Sequence, residues 1–183
     1  MKTQNTLVLS VALVCLGLGA CAASGPHRST GQVIDDTTIA TRTKTALLAD
    51  STTDGLNIDV EVDRDKVQLN GFVDSQAQID RAGEIARSVP GVASVNNNLK
   101  VSAGTRRTGE YIDDKVLSAS VKAALADDPL APASEIDVEV NRGVVSLGGY
   151  VDSKAERSAA TAAAESVKGV QKVINNLSVR KGN

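Results

Sequence analysis

Apolar residues recur along this chain with two different spacings, and the whole pattern occurs twice. In residues 35–49, Ile39, Thr43, Ala46 and Leu47 fall at i, i+4, i+7 and i+8, one stripe of a 3.6-residue period. Leu117, Val121, Ala124 and Leu125 repeat that stripe in residues 113–127. The spacing predicts two helices. Period two follows each of them: Ile58-Val60-Val62 and Ile136-Val138-Val140 alternate with acids, as in half-buried strands. Asp63-Arg64-Asp65 and Asn141-Arg142-Gly143 are turn chemistry, so Val67–Leu69 and Val145–Leu147 complete two hairpins.

Ser153-Lys154-Ala155-Glu156 is a capping box that opens a second helix, and Ser75 with Gln78 is its neutral equivalent. Gly91 and Gly169 are expected to stop these helices, because glycine suits a left-handed C-terminal residue. A last strand is expected at 92–101 and 170–179.

The two halves align without a gap. At a constant offset of 78, residues 34–101 match 112–179 with 31 of 68 positions identical. Duplication of a unit of about 70 residues is the only reading of such a match. The expected fold is therefore α+β: two tandem αββαβ two-layer domains, each a three-stranded sheet covered by two helices. Domain 1 is assigned to 34–101, a linker to 102–111, domain 2 to 112–179 and a C-terminal tail to 180–183. Units this small bury little surface alone, so the copies are expected to pack on each other.

The N-terminal end reads differently. Lys2 precedes an apolar stretch from Leu7 to Leu18 and then Leu18-Gly19-Ala20-Cys21, which makes residues 1–20 a signal peptide. The tetrapeptide resembles a bacterial lipobox, in which the cysteine is acylated and becomes the new N-terminus; the alternative is an ordinary secretory signal that happens to contain a cysteine. Residues 21–33 would then be a lipidated tether. Ala22 after the cysteine implies the outer membrane under the lipoprotein sorting rule.

Composition excludes several function classes. Cys15 leaves with the signal and Cys21 is consumed by lipid, so no thiol remains for a disulfide, a metal or a nucleophile. Loss of Lys2 takes 20 Lys and Arg to 19 against 22 Asp and Glu, a net charge of −3 that steers nothing to nucleic acid. His27, the one histidine, sits in the tether and reads as a solvated linker residue. No glycine-rich phosphate loop or metal-ligand spacing is present, so no cofactor, metal site, catalytic residue or small-molecule substrate is expected, and the chain reads as a non-enzyme. Asp59, Glu61, Asp137 and Glu139 alternate with buried valines and are expected to face solvent rather than to act as paired acids. Asp35-Asp36 and Asp113-Asp114 are expected to open helices, where negative charge suits the dipole.

The order of elements, the Leu-x-Gly-x-Val-Asp-Ser core (Leu69 to Ser75, Leu147 to Ser153) and the Val-x-Gly-Val-x-x-Val approach to the last strand (Val89 to Val95, Val167 to Val173) resemble the BON domain. With a lipobox in front, the chain is similar to the dual-BON outer-membrane lipoproteins of Gram-negative bacteria. That resemblance implies a protein on the periplasmic face of the outer membrane that binds anionic phospholipid and supports envelope integrity, gathering at division sites. A relative with the same domains, the osmotically inducible periplasmic protein, implies the alternative of a stress-response chaperone or protein-interaction module with envelope proteins as partners. A structural spacer near peptidoglycan or an assembly machine is a third reading.

Divergence between the copies locates the candidate site. Thr37, Thr38, Thr41, Lys44 and Thr45 of the first helix become Lys115, Val116, Ala119, Lys122 and Ala123 in the second copy. An apolar strip edged by two lysines suits contact with anionic head groups. Tyr111, expected just before that helix, and Arg106-Arg107 in the linker extend the phospholipid patch. The competing reading is that Val116 and Ala119 pack against domain 1. The family's lipid surface carries a tryptophan and this chain has none, so with Tyr111 as a partial substitute either a low affinity or a different lipid preference is expected.

Overall fold

The computed structural model describes residues 30–53, 55–102 and 108–180. Two α+β domains follow one another. In the first, α1 (Thr30–Ala49), β1 (Ile58–Asp63), β2 (Lys66–Val73), α2 (Gln76–Ser88), β3 (Ser94–Asn97) and β4 (Lys100–Val101) follow in order. In the second, α3 (Thr108–Asp127), β5 (Ile136–Asn141), β6 (Val144–Val151), α4 (Lys154–Glu165), β7 (Lys172–Asn175) and β8 (Ser178–Val179) repeat the series. A short 3₁₀ turn, Gly55–Asn57 or Ala133–Glu135, precedes each hairpin.

Each sheet is three strands wide. β1 runs antiparallel to β2 with Val60 opposite Leu69, and β3 and β4 run parallel to β2 with Val67 opposite Val95 and Phe72 opposite Lys100. The third strand is broken in two by the Asn-Asn-Leu motif. Asn97 Nδ2 donates to Ile79 O at 2.7 Å and its Oδ1 accepts from Leu99 N, which ties the break to α2 and turns Leu99 into the core. Asn175 makes the same pair of contacts, to Arg157 O and from Leu177 N.

Helices cover one sheet face in each domain. Ile39 and Leu47 of α1 pack with Ile58, Leu69, Val73, Ala82 and Ala86; Val121 and Leu125 of α3 pack with Ile136, Leu147, Val151, Ala160 and Ala164. Thr43, inside the first stripe, satisfies its hydroxyl on Ile39 O at 2.8 Å. The capping boxes form: Gln78 N donates to Ser75 Oγ while Gln78 Oε1 accepts from Asp74 N, and Glu156 does the same around Ser153. The glycine of the Leu-x-Gly core has a backbone reason. Gly71 (φ +130°) and Gly149 (φ +115°) lie against the carbonyls of Asn57 and Glu135, where a side chain has no room.

Three expectations need correction. Both first helices start earlier than expected, at Thr30 and Thr108, so Tyr111 lies inside α3 and not before it. Asp36 and Asp114 consequently sit well inside their helices. Their buried carboxylates accept the hairpin-turn amides: Arg64 N and Asp65 N at 3.1 Å, Arg142 N at 2.9 Å and Gly143 N at 3.2 Å. Those turns hold both central residues at positive φ, the type I′ geometry that matches strand twist and leaves amides in need of acceptors. The second helices end at Ser88 and Glu165, before Gly91 and Gly169, which occupy the following loops at φ +97° and +103°.

The sheet faces without helices meet. β1 contacts β6 and β2 contacts β5, the reciprocal arrangement of a two-fold interface. This contact explains why β2 and β6 are buried along nearly their whole length, polar Gln68, Asn70 and Ser146 included.

Candidate functional site

Helix α3 turns Leu117, Val121 and Leu125 inward and leaves Lys115, Val116, Ala119, Lys122 and Ala123 exposed. Val116 is 62% accessible, so the strip does not pack against domain 1. The exposed residues divide between two flanks.

On one flank, Val116, Leu117 and Ser120 line a cavity of about 470 Å³ with Arg142 of the hairpin turn and Lys168 after α4. Asp113 and Asp114 complete the wall, but the Asp114 carboxylate is held by the two turn amides. The corresponding space in domain 1 is tighter. There Ile39, only 4% exposed, stands against Gly91 so that a methyl on the glycine would come within 3.2 Å of Ile39 Cδ1; at Gly169 the nearest Leu117 atom would be 3.6 Å away. Thr38 and Pro90 also replace Val116 and Lys168 in the first copy, which removes the exposed apolar residue and one cation.

The other flank corrects the expectation for the strand acids. Asp59, Glu61, Asp137 and Glu139 do not face open solvent; they are half-buried at the edge of the interface between the domains. Asp137 lies beside Glu61, and Glu139 beside Asp59, so acids of the two domains are neighbours. Burial, then the Asp59 charge, push the Glu139 carboxyl up to about 7 against the pull of Lys115 and Lys122. Burial also raises Asp137, against the charges of Lys122 and Lys44. Lys115 and Lys122 thus stand near enough to oppose that shift in Glu139. Lys44 of α1 donates to Ile58 O at 2.6 Å beside a groove of about 390 Å³ that Thr41, Asp59, Glu61 and Asp137 share.

At the far end of the interface Arg180 joins the domains. Its guanidinium meets Asp63 of β1 at 3.3 Å, Asp152 at 2.8 Å and Glu135, with the Arg180 and Asp63 side chains each 7% exposed. Gln68 bridges too, donating to Asn176 O and accepting from Gly149 N, while the Tyr150 hydroxyl donates to Lys66 O at 2.8 Å. Sequence reasoning missed these residues. A signal was available: 66, 68, 70 and 72 differ from 144, 146, 148 and 150 while 67, 69, 71 and 73 match 145, 147, 149 and 151, so one face of the middle strand diverged and the other did not.

Of the other residues singled out from sequence, Cys21, Arg106 and Arg107 lie outside the described residues. Among the described residues no helix is long and apolar enough to cross a membrane.

The BON domain matches this chain twice, over residues 35–103 and 113–181. Osmotically-inducible protein Y of Escherichia coli is 36% identical over 151 residues, covering 82% of this chain and 75% of the relative. Outer membrane lipoprotein DolP of Haemophilus influenzae is 31% identical over 167 residues, covering 87% of this chain and 83% of that one. With both repeats matched and relatives aligned across both domains, the chain belongs to the BON-domain family.

Proposed function

We propose that this protein is an envelope lipoprotein, anchored through Cys21 to the periplasmic face of the outer membrane, whose second domain binds anionic phospholipid. The carrying observation is the α3 cavity, where exposed Val116 stands beside Arg142 and Lys168. An apolar contact for the upper acyl region and two cations for a phosphate are the two elements such a ligand needs. Ala119, Ala123, Lys115 and Lys122 extend the surface along the helix, and Tyr111, Arg106 and Arg107 approach its N-terminal end in sequence. Likeness to an outer membrane lipoprotein supports the location. A binding role rather than catalysis accords with a sequence whose cysteines and single histidine all fall within the first 27 residues.

The anchor raises the local concentration of lipid around domain 2, so a shallow site of low intrinsic affinity suffices. Sedimentation of residues 22–183 with vesicles tests the reading. Binding is expected to vesicles rich in phosphatidylglycerol, to weaken with salt and to be lost in Val116→Glu and Lys168→Glu. Equal binding to pure phosphatidylcholine, or binding indifferent to both changes, overturns the site. Indifference to all vesicles combined with suppression of client aggregation would favour a chaperone role. Acylation is checked separately by mass spectrometry of the protein from membranes and of Cys21→Ser.

A further inference from the structure

We propose that a groove between α4 and the β7–β8 strand of domain 2 binds a phosphate monoester of a small polyol, the chemistry shared by phosphorylated sugars and glycerophosphate head groups. Lys154, Arg157, Ser158, Thr161, Asn175 and Val179 line a space of about 390 Å³ there. Lys154, Arg157 and Ser158 fall at i, i+3 and i+4 on α4, so their side chains share one helix face. No carboxylate is in the lining, and among the described residues neither cation pairs with one. The acids next to them in sequence are engaged elsewhere: Glu156 closes the cap at Ser153, and Asp152 meets Arg180. The groove starts at the first turn of α4, whereas Lys168 of the α3 cavity lies beyond its last turn, so the two sites are separate.

The first repeat shows that the fold does not require these residues. Gln76, Ile79, Asp80 and Gly83 stand at the positions of Lys154, Arg157, Ser158 and Thr161. There Gln76 Nε2 donates to Asp80 Oδ1 at 3.0 Å, so the helix face satisfies itself, and Ile79 packs against the core. In the second repeat the same face presents an ammonium, a guanidinium and a hydroxyl with no carboxylate to receive them. A lysine in the first turn also opposes the helix dipole, so helix stability does not select it. The strand side orients the arginine. Asn175 Nδ2 donates to Arg157 O at 2.9 Å and to Thr161 Oγ1 at 2.6 Å, while Asn175 Oδ1 and O accept from Arg157 Nε and Nη2 at 3.4 and 3.3 Å. Those last two bonds are long and end on neutral acceptors. A phosphate is the stronger acceptor that a guanidinium fork beside an ammonium matches. Small-molecule pockets span roughly 300–1,000 Å³, so this groove has room for a carrier beside the phosphate, with the Ser158 hydroxyl left to meet it.

Nuclear magnetic resonance titration of residues 22–183 tests the site, with glucose 6-phosphate, glycerol 3-phosphate and inorganic phosphate as probes. Saturable shifts are expected at the Arg157 Nε–H and at the Ser158 and Asn175 amides, weakened by salt, with the matching signals of α2 unmoved. Tighter binding of glucose 6-phosphate than of glycerol 3-phosphate assigns the groove to a phosphorylated glycan, and the reverse order assigns it to a lipid head group. Inorganic phosphate that binds as tightly as both esters overturns the proposal. Lys154→Gln with Ser158→Asp copies the first repeat at two exposed positions and should lower affinity at least about tenfold. Should that variant fail to fold, Lys154→Ala alone must still weaken binding. Absence of saturable shifts, an equal response in α2, or unchanged affinity in the variants refutes the site.

Discussion

Asn70 lies against Gly148, its own counterpart in the second repeat, and occupies the space that any side chain at 148 would need. Two copies of one sequence cannot both place an asparagine at the centre of a two-fold contact. One position must leave room for the other, and Gly148 does. The buried Asn70 Oδ1 accepts from Asn98 Nδ2 at 3.3 Å, which fixes the side chain in that position.

Gly148→Ala should therefore weaken the protein by about 1–3 kcal/mol through overpacking alone, since Gly148 is not among the glycines at positive φ. Asn70→Ala in the same molecule should recover most of the loss. Chemical denaturation of the two single variants and the double variant measures the coupling; strictly additive effects would show that the two positions do not compete for space.

Arg180 is the second asymmetric element. Its counterpart is Ser102, whose hydroxyl accepts from Asn141 Nδ2 at 2.8 Å, and Asn141 is the counterpart of Asp63. The same place in the interface holds an ion pair on one side and a neutral hydrogen bond on the other. Arg180→Ala should cost roughly 3 kcal/mol, because it removes the guanidinium that balances the buried Asp63 carboxylate. Arg180→Ser with Asp63→Asn copies the neutral arrangement and should restore all but about 1 kcal/mol, as read by thermal unfolding.

Removing the Tyr150 hydroxyl tests the interface more gently. Tyr150→Phe leaves the ring buried and deletes the bond to Lys66 O. A loss of about 1 kcal/mol is expected, with the vesicle binding of domain 2 unchanged. A change in vesicle binding without a change in stability would place Tyr150 in the lipid site instead.

Gly71→Ala and Gly149→Ala should each cost at least about 2 kcal/mol, from backbone strain at positive φ plus the clash with the carbonyl of Asn57 or Glu135. Comparable losses in both repeats would establish that the shared Leu-x-Gly core is a backbone requirement. A tolerated alanine at either site would show that the preceding 3₁₀ turn can yield.

Spacing along the chain and the repeat carried the helix stripes, strand alternation, capping boxes and two equal domains, though not where the helices begin and end. Local spacing carries that information because each domain's core is built from its own residues, and Leu47, Leu69 and Leu99 face inward wherever the domain sits. It also singled out α3 as the divergent helix, and left Val116 equally able to pack or to stand free. Only the tertiary structure decided that question, by setting Val116 beside Arg142 and Lys168, which lie 26 and 52 positions away (142 less 116, and 168 less 116). Asp36 and Asp114 went astray for the same reason: their partners are hairpin amides that no helical rule names. The strand acids are the clearest instance. Alternation correctly put Asp59, Glu61, Asp137 and Glu139 on the face opposite the core, but whether that face meets water or the other domain is a property of docking, and docking left all four half-buried.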